Sequence, residues 1–376
     1  MSLSDIIYYI VIKIIFNNIQ INQALVINEL KKLGLLEKDV CFVNKLACID
    51  SYNNLDNKFC NYILRSSVFN YLFSLSTTGL IPGVSINQLK DFEIILPPLN
   101  EQQQIANYLD EKTSKIDTLI EKQTKQIELL KEKRQAVISH AVTKGINPNV
   151  PMKDSGVEWL GEIPEHWKVS KLRFLFSFST GLNITKANLI DEDGIPCVNY
   201  GEIHSKYGFE VNANKDSLKY VDKEYLITSK ASLLSEGDFV FADTSEDVKG
   251  SGNFTHVVGD SKIFAGYHTV IARLINNYNS RYFAYIFDSN IFRTQIQLSI
   301  KGVKVFSITQ AILKNCLIWF PVIEEQQQIV NYLDEKTSKI DTLIEKSNKS
   351  IELLKEKRTA LISAAVTGKI DVREFE

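Results

Sequence analysis

Apolar residues recur at heptad spacing along two long stretches of the chain, and neither stretch contains Gly or Pro before Gly145 or Gly368. Leu, Glu, Lys, Ile and Gln dominate both stretches, as is typical of helices. The pattern predicts two long helices, each with an apolar stripe that needs a packing partner. The first stripe consists of Leu109, Ile116, Ile120, Ile127, Leu130 and Val137, and the second of Leu333, Ile340, Ile344, Ile351, Leu354 and Leu361.

The two stretches are copies of one another. Residues 101–145 recur 224 positions later, and only nine of the 45 positions differ. About 40 residues at a rise of about 1.5 Å give a helix of about 60 Å, too long to be buried inside a compact domain. We therefore expect the two helices to pair as a coiled coil. The expected packing is antiparallel, because a pseudo-twofold relation lets two identical partner subunits bind equivalent surfaces.

Polar residues interrupt both apolar stripes at matching positions. One interpretation is that they are the solvated edges of a long surface helix. The other is that they lie in the helix interface and fix its register, as buried polar groups can in coiled coils. These residues are Lys112, Gln123 and Arg134 in the first copy and Lys336, Ser347 and Arg358 in the second.

The segments outside the long helices predict mixed globular domains. Short β-branched and aromatic runs, separated by Gly, Asp and Asn, predict strands between the two copies. Residues 58–73 match 281–296, and residues 89–98 match 313–322. The predicted fold class is thus α+β, with mixed α/β domains alternating with the long helices. The expected boundaries are a partial first domain (1–98), a helix (99–145), a complete second domain (146–322), a helix (323–369) and a tail (370–376).

The amino-acid composition excludes several classes of protein. The 376 residues include 43 Lys plus Arg and 45 Asp plus Glu, and 44% of residues are hydrophobic. The chain is therefore neither a polycation nor a disordered tail, and any contact with nucleic acid must be local. The five cysteines form no C-x-x-C pair, which favours a reducing compartment. The apolar run at residues 6–16 is shorter than a membrane span of about 20 residues and resembles no signal peptide, so we expect a cytoplasmic protein without a membrane segment.

Motifs for catalysis are missing from the sequence. There is no N/D-P-P-Y/F motif for adenine methylation and no G-x-x-x-x-G-K-S/T motif for nucleotide binding. The five histidines are dispersed, without the spacing of metal ligands. We expect neither catalytic residues nor a metal site in this chain, so that catalysis would belong to partner subunits.

Three segments in this order resemble the specificity subunits of type I restriction-modification systems. They are the duplicated motif that begins at Glu101 and Glu325, the junction from Ala141 to Trp167, and the ending AVTGKIDVRE. The resemblance implies a non-catalytic subunit with two target-recognition domains, each reading one half of a split sequence in double-stranded DNA, and two helices as spacer. It also implies two modification (methyltransferase) subunits and restriction subunits as partners. S-adenosylmethionine, ATP and magnesium would be bound by those partners, and this chain would hold no cofactor.

The start of the chain departs from the family pattern. Family members usually open with a segment like Lys153 to Phe176, and no equivalent precedes residue 58. We therefore expect an N-terminally truncated first recognition domain beside a complete second one. Pairing of two chains would be one way to replace the incomplete half.

Contacts with DNA are expected in three loops of the second domain. The stretch from Met152 to Ile300 carries 15 Lys plus Arg against 19 Asp plus Glu, so charge alone does not indicate DNA. A domain without net positive charge can still recognise a DNA sequence if a few basic residues contact phosphates while loop residues contact base edges. Ordinary turn chemistry is the alternative explanation for the same residue types. The resemblance implies base contacts from a loop after an early strand of the domain, which corresponds here to Asn199, Tyr200, Glu202 and His204. The other candidates are Thr244, Ser245, Asp247 and Lys249 in a second loop, and Ser299, Lys301 and Lys304 in a third.

Two other functions fit the same pattern. One is a coiled-coil protein-assembly module whose mixed domain binds protein and has no DNA specificity. The other is a silent, truncated specificity cassette that supplies recognition sequence by recombination.

Overall fold

A computed structural model describes residues 54–76, 88, 91–300 and 305–372, together with the backbone of four N-terminal strands. The chain divides into two compact units. Unit 1 contains residues 1–128 and 344–376, and unit 2 contains residues 129–343. Both unit boundaries fall within the long helices, so that each unit contains one part of each helix. The domain boundaries predicted from the sequence follow the chain instead and remain a prediction.

Unit 1 combines short strands with helices. The strand β1 pairs antiparallel with β5, and β2 lies between β3 and β4 in a second antiparallel sheet. The strands are β1 (Tyr9–Ile10), β2 (Ala24–Asn28), β3 (Leu33–Leu35), β4 (Leu46–Asp50) and β5 (Ile94–Ile95). The helices are α1 (Asn57–Arg65), α2 (Ser67–Ser76) and the first long helix, α3 (Leu99–Lys144).

Unit 2 is a mixed α/β structure with two larger sheets. Its strands are β6 (Met152–Asp154), β7 (Glu162–Pro164), β8 (Lys168–Lys171), β9 (Phe176–Thr180), β10 (Ile195–Val198), β11 (Glu210–Val211), β12 (Lys219–Val221), β13 (Leu233–Leu234), β14 (Phe239–Ala242), β15 (Thr244–Ser245), β16 (Phe254–Val257), β17 (Ile263–Ala265), β18 (Thr269–Leu274), β19 (Phe306–Ser307) and β20 (Leu317–Phe320). Its helices are α4 (Tyr200–Ser205), α5 (Tyr225–Thr228), α6 (Ser280–Asp288), α7 (Asn290–Ser299), α8 (Gln310–Asn315) and the second long helix, α9 (Ile323–Val366).

The strand β14 is the centre of unit 2. One sheet has the strand order β11-β16-β14-β18-β9, and the other has the order β12-β10-β17-β13. Alternate residues of a strand face opposite sides of its sheet. Accordingly Phe239 and Phe241 belong to the core that also contains Phe287 of α6, whereas Val240 belongs to a second core with Ile203 of α4. The five-stranded sheet is therefore buried on both faces.

The long helices pack antiparallel. In unit 1 the start of α3 shares a core with the end of α9, made of Ile105, Ala106, Leu109, Ile362, Ala365 and Val366. In unit 2 the end of α3 shares a core with the start of α9, made of Ile138, Ala141, Val142, Ile329, Val330 and Leu333. All twelve residues of the two predicted stripes are buried or half-buried. The α+β class with an antiparallel helix pair is confirmed. None of the described helices is long and apolar enough to span a membrane.

A buried glutamine in each copy anchors the long helix to the chain that precedes it. In unit 1, Gln102 accepts a hydrogen bond from the backbone N–H of Asp56 at 2.8 Å and donates to the carbonyls of Asn54 and Pro97. In unit 2, Gln326 accepts from the N–H of Asn279 at 3.1 Å and donates to the carbonyl of Pro321. The duplicated sequence thus repeats the same buried hydrogen bonds, and burial without them would be costly.

A tyrosine on the preceding short helix makes a second repeated contact. Tyr62 of α1 donates to Asp110 at 2.6 Å and lies 3.2 Å from the hydroxyl of Thr113. Burial, reinforced by the bond to Asp110, raises the pKa of Tyr62 to about 12, so the phenol remains a donor at neutral pH. In unit 2 Tyr285 makes the equivalent bonds to Asp334 and Thr337. Each long helix is therefore docked on its preceding helix by one repeated set of side chains.

Two of the polar stripe residues make ion pairs between the long helices. Arg134 donates to Asp341 at 3.0 Å in unit 2, and Arg358 donates to Asp117 at 2.9 Å in unit 1. These are matching positions of the repeat, so the register of the pairing is the same in both units. The contacts favour the interpretation that polar residues in the stripes fix register. Arg134 also donates to Asp288 of α6 at 2.7 Å.

Replacing each arginine by alanine should show that the less exposed ion pair contributes more to stability than the more exposed one. The side chains of Arg134 and Asp288 are 18% and 14% exposed, whereas Asp117, the partner of Arg358, is 52% exposed. Arg134→Ala removes both ion pairs of this arginine and leaves the mostly buried carboxylate of Asp288 unpaired, and we expect a loss of about 3 kcal/mol of unfolding free energy. Arg358→Ala should cost about 1 kcal/mol or less. Urea denaturation of the two variants measures the difference, and equal losses would contradict the unequal burial.

Candidate nucleic-acid interface

The first predicted loop begins where β10 ends. Asn199 caps the short helix α4, and the carboxylate of Glu202 accepts a hydrogen bond from the backbone N–H of Asn199 at 3.0 Å. The buried side chain of Asn199 lies against Gly266, where a Cβ atom would stand 1.9 Å from its Oδ1 atom. Glycine is therefore required at 266. Asn199 and Glu202 act within the turn, as capping residues do.

Aromatic rings gather beside this helix. The ring centroid of Tyr200 lies 5.6 Å from that of Tyr267 and 5.3 Å from that of His268, both in edge-to-face arrangements. His204, on the same helix, lies 6.2 Å from Tyr200. His268 is exposed and adopts a φ of 54°, in the left-handed region that few residues other than glycine adopt. The cluster presents ring edges and imidazole nitrogens next to the first loop.

The second predicted loop is a compact turn closed by its own polar groups. Ser245 is buried, and its hydroxyl donates to the carbonyl of Asp247 at 2.7 Å. The carboxylate of Asp247 accepts from the N–H of Gly250 at 2.6 Å. A Cβ atom at Gly250 would lie only 2.6 Å from the hydroxyl of Ser245, so the turn needs glycine there. The side chain of Lys249 is exposed at the surface of this turn.

His204 joins the two loops. Its Nε2 atom is 2.8 Å from the carbonyl oxygen of Thr244, and its Nδ1 atom is 2.8 Å from the side-chain nitrogen of Asn253. These partners assign the tautomer: Nε2–H donates to Thr244, and Nδ1 accepts from Asn253. The side-chain oxygen of Asn253 in turn accepts from Arg293 of α7. Two loops about 40 residues apart in sequence thus share one hydrogen-bonded network.

Sheet topology explains why these loops meet. The strands β10 and β17 are parallel, with Val198 beside Ala265, so the residues that follow them lie together. The strands β14 and β18 are antiparallel, with Ala242 beside Thr269. The exits of β10, β14 and β17 therefore lie at neighbouring positions, and this constellation of loops and rings is the candidate interface.

The third predicted loop is only partly described. Ser299 ends α7, is exposed, and donates its hydroxyl hydrogen bond to the carbonyl of Gln295 at 2.7 Å. Lys301 and Lys304 lie outside the described residues. Where the description resumes, β19 pairs with β15, with Phe306 opposite Ser245. This pairing connects the end of the third loop to the second.

The structure divides the predicted residues by accessibility. Asn199, Glu202 and Ser245 are engaged inside their own turns, and His204 links the loops from a half-buried position. Asp247 and Lys249, which were predicted, and His268, which was not, are exposed at the interface, whereas Tyr200, Thr244 and Tyr267 are half-buried there. The sequence places Tyr267 and His268 at the start of a strand, and Gly266 before them is the one local sign of a turn.

The charges of the interface are mixed. Asp243 lies 3.3 Å from the Nδ1 atom of the exposed His268, and Glu202 and Asp247 are close by in the two turns. Burial lowers the pKa of Arg293, whose guanidinium lies behind the loops. Within the described part of the chain, no three His, Cys, Asp or Glu residues are arranged to hold a metal ion.

Comparison with known proteins identifies the family. The profile described as type I restriction modification DNA specificity domain matches residues 12–129 and 164–353, which is most of the chain. The chain belongs to this family. The match includes the loops of the candidate interface and the first part of each copy of the duplicated stretch, residues 101–129 and 325–353.

Two relatives show how far the similarity extends. The type I restriction enzyme MjaVIII specificity subunit of Methanocaldococcus jannaschii is 27% identical over 324 residues, which cover 85% of this chain and 72% of the relative. The EcoBI specificity subunit of Escherichia coli is 24% identical over 338 residues, which cover 87% of this chain and 69% of the relative. Both comparisons extend over most of each protein.

A solved structure shares the fold. It comes from work on complex assembly and conformational transition of a type I restriction-modification system, and it superposes with a TM-score of 0.70 at 16% identity. The superposition covers 94% of this chain and 83% of the other. The shared fold thus extends over both units of this family member.

Removing the imidazole of His204 should loosen the second loop. His204→Ala deletes the two hydrogen bonds that hold Thr244 and Asn253, and each such bond contributes about 1 kcal/mol. We expect the amides of residues 244–253 to exchange hydrogen about tenfold faster, or more. Hydrogen-exchange mass spectrometry measures this. Ser205→Ala, which changes an exposed hydroxyl on the same helix, is the matched control, and an identical effect of both substitutions would contradict the bridging role.

Proposed function

We propose that the chain is a DNA sequence-specificity subunit that reads one half-site in double-stranded DNA through the candidate interface of unit 2. The observation that carries the proposal is the network at His204, which combines two loops and an aromatic cluster into one accessible polar surface in a member of this family. The side chains present there are of kinds that contact base edges. Amides, hydroxyls and imidazoles form hydrogen bonds with the donors and acceptors of the bases, and aromatic rings contact their apolar groups.

The charged and aromatic residues of the interface suit different kinds of contact. Lys249 is the basic candidate for a phosphate contact, and Tyr200, Tyr267 and His268 are candidates for contacts with bases. Lys301 and Lys304, which follow α7, remain further phosphate candidates. Phosphate contacts set affinity and register, whereas base contacts set sequence preference.

Catalysis is assigned to partners in this proposal. The paired helices would dock two modification subunits at equivalent surfaces, and restriction subunits would join that complex. S-adenosylmethionine, ATP and magnesium would act in those subunits. We expect the complex to work in the cytoplasm and this chain to neither methylate nor cleave DNA by itself.

Selection from random DNA tests the reading function. The purified full chain should enrich one short sequence block from a library of random duplexes. Recovery of unselected DNA only would contradict the proposal, and recovery of two different blocks at fixed spacing would show that unit 1 also reads DNA.

Lysine substitutions test the interface itself. Lys249→Ala should lower affinity for all sequences alike and make the slope of log affinity against log salt shallower by about 1. The control is Lys223→Ala, since Lys223 follows β12 and lies beyond the opposite end of β10 from Asn199. Fluorescence anisotropy with the selected duplex measures both. If the control lowers the affinity as much as Lys249→Ala does, DNA binds elsewhere.

A further inference from the structure

The turn between β17 and β18 holds a histidine in a backbone conformation that glycine adopts more easily. His268 has a φ of 54°, in the left-handed region. This region is uncommon for a residue with a side chain, and a glycine at the same position would avoid the strain. The side chain is also 58% exposed, so it contributes little to the core. The turn therefore carries a strained residue whose side chain lies at the surface.

Hydrogen bonds fix this turn firmly on its neighbours. The backbone N–H of Gly266 donates to the carbonyl of Val198 at 2.8 Å. The N–H of Asp243 donates to the carbonyl of His268 at 3.0 Å. The hydroxyl of Thr269 closes the turn by donating to the carbonyl of Gly266 at 2.6 Å. Strained backbone persists where the surrounding structure over-determines it, and such residues concentrate at functional sites. The turn is thus a rigid support for the imidazole of His268.

Two rings and a carboxylate fix the orientation of this imidazole. The rings of Tyr200 and Tyr267 lie edge-to-face with it, at 5.3 and 5.9 Å between centroids. The Oδ1 atom of Asp243 lies 3.3 Å from Nδ1 of His268 and accepts a hydrogen bond from the hydroxyl of Thr244 at 2.6 Å. A neutral imidazole carries a proton on one nitrogen and accepts with the other. Because the carboxylate attracts the proton to Nδ1, Nε2 is left as the acceptor.

The Nε2 atom of His268 is available to a ligand. Among the residues that the structure describes, none forms a hydrogen bond with it. By contrast, His204 uses both of its nitrogens in the network that joins the two loops. His256 is buried, and its Nε2 atom lies 3.0 Å from the hydroxyl of Ser280. Of these three histidines, His268 is the one that offers an unpaired ring acceptor at the candidate interface.

We propose that His268 determines specificity at one base pair, with its Nε2 atom accepting a hydrogen bond from the exocyclic amino group of an adenine or a cytosine. This inference rests on the proposed function, the reading of DNA by unit 2. In the major groove adenine and cytosine present such a donor, whereas guanine and thymine present acceptors there. Asp243 is a positioning residue, because it sets which nitrogen of His268 accepts.

Nuclear magnetic resonance of the full chain tests the arrangement without DNA. Isotopically labelled histidine shows which ring nitrogen carries the proton at about pH 8, where histidine is mostly neutral. The signal of His268 is identified by its loss in His268→Gly. The proton should lie on Nδ1, and Asp243→Ala should remove this preference. Glu246→Ala, which deletes an exposed carboxylate of the second loop, is the matched control and should change nothing. A proton on Nε2 in the wild type would overturn the proposal.

Selection from random DNA tests the contact itself. Wild type and His268→Gly should select sequences that differ at one position, because the side chain contacts one base pair. At that position the adenine is replaced by purine, or the cytosine by pyrimidinone, so that the exocyclic amino group is absent. Wild-type affinity should fall about tenfold, since an acceptor loses its donor. The affinity of His268→Gly should not change. The same analogue at a position where both proteins agree is the control. Glycine suits this backbone, so the variant should remain folded, which thermal unfolding checks.

Two results of the selection experiment would overturn the inference while the DNA-reading proposal stands. One is selection of identical sequences by wild type and His268→Gly. The other is an equal loss of affinity in both proteins when the amino group is removed. Selection of no sequence by the wild type would instead contradict the DNA-reading proposal and, with it, the role of His268.

Discussion

The antiparallel apolar interface between α3 and α9 is the interaction on which the rest of the structure depends. Neither helix can bury its stripe alone, and an isolated amphipathic helix of this length has no other large apolar surface to contact. Because each helix serves both units, each unit receives the start of one helix and the end of the other. The globular elements are then attached by the same buried contacts twice, through Gln102 and Gln326 and through Tyr62 and Tyr285.

The duplication is not a perfect symmetry, and its departures are informative. Arg134 forms an ion pair with Asp288 on the neighbouring short helix. In unit 1 the residue that corresponds to Asp288 is Arg65, which cannot pair with an arginine in this way. Glu325 holds a tryptophan and a histidine, whereas Glu101 has no described partner. Unit 2 carries the loops that we propose as a recognition surface. The two copies therefore share a framework but differ in what the framework supports.

Much of the framework could be predicted from the sequence because its signals are local or repeated. The heptad stripes, the antiparallel pairing and the family follow from periodicity and from the duplicated motif. Two of the three candidate loops lie together, the first expected from the family resemblance and the second from its short polar residues and glycines. That these loops lie side by side could not be predicted from the sequence. Their proximity depends on the pairing of β10 with β17 and of β14 with β18, which no local pattern specifies. For the same reason the sequence gives no sign that His204 bridges the loops or that Tyr267 and His268 join them.

Site-specific crosslinking of the long helices tests the account most directly. Cysteines at Leu109 and Leu361 in unit 1, and at Val137 and Leu333 in unit 2, occupy equivalent places in the antiparallel interface. A short bismaleimide should link both pairs efficiently. Pairs displaced by one heptad, Leu109 with Leu354 and Leu333 with Leu130, should react much more slowly, because one heptad shifts the residues by about 10 Å along the helix. Equal or faster linking of the displaced pairs would contradict the register and, with it, the two-unit framework.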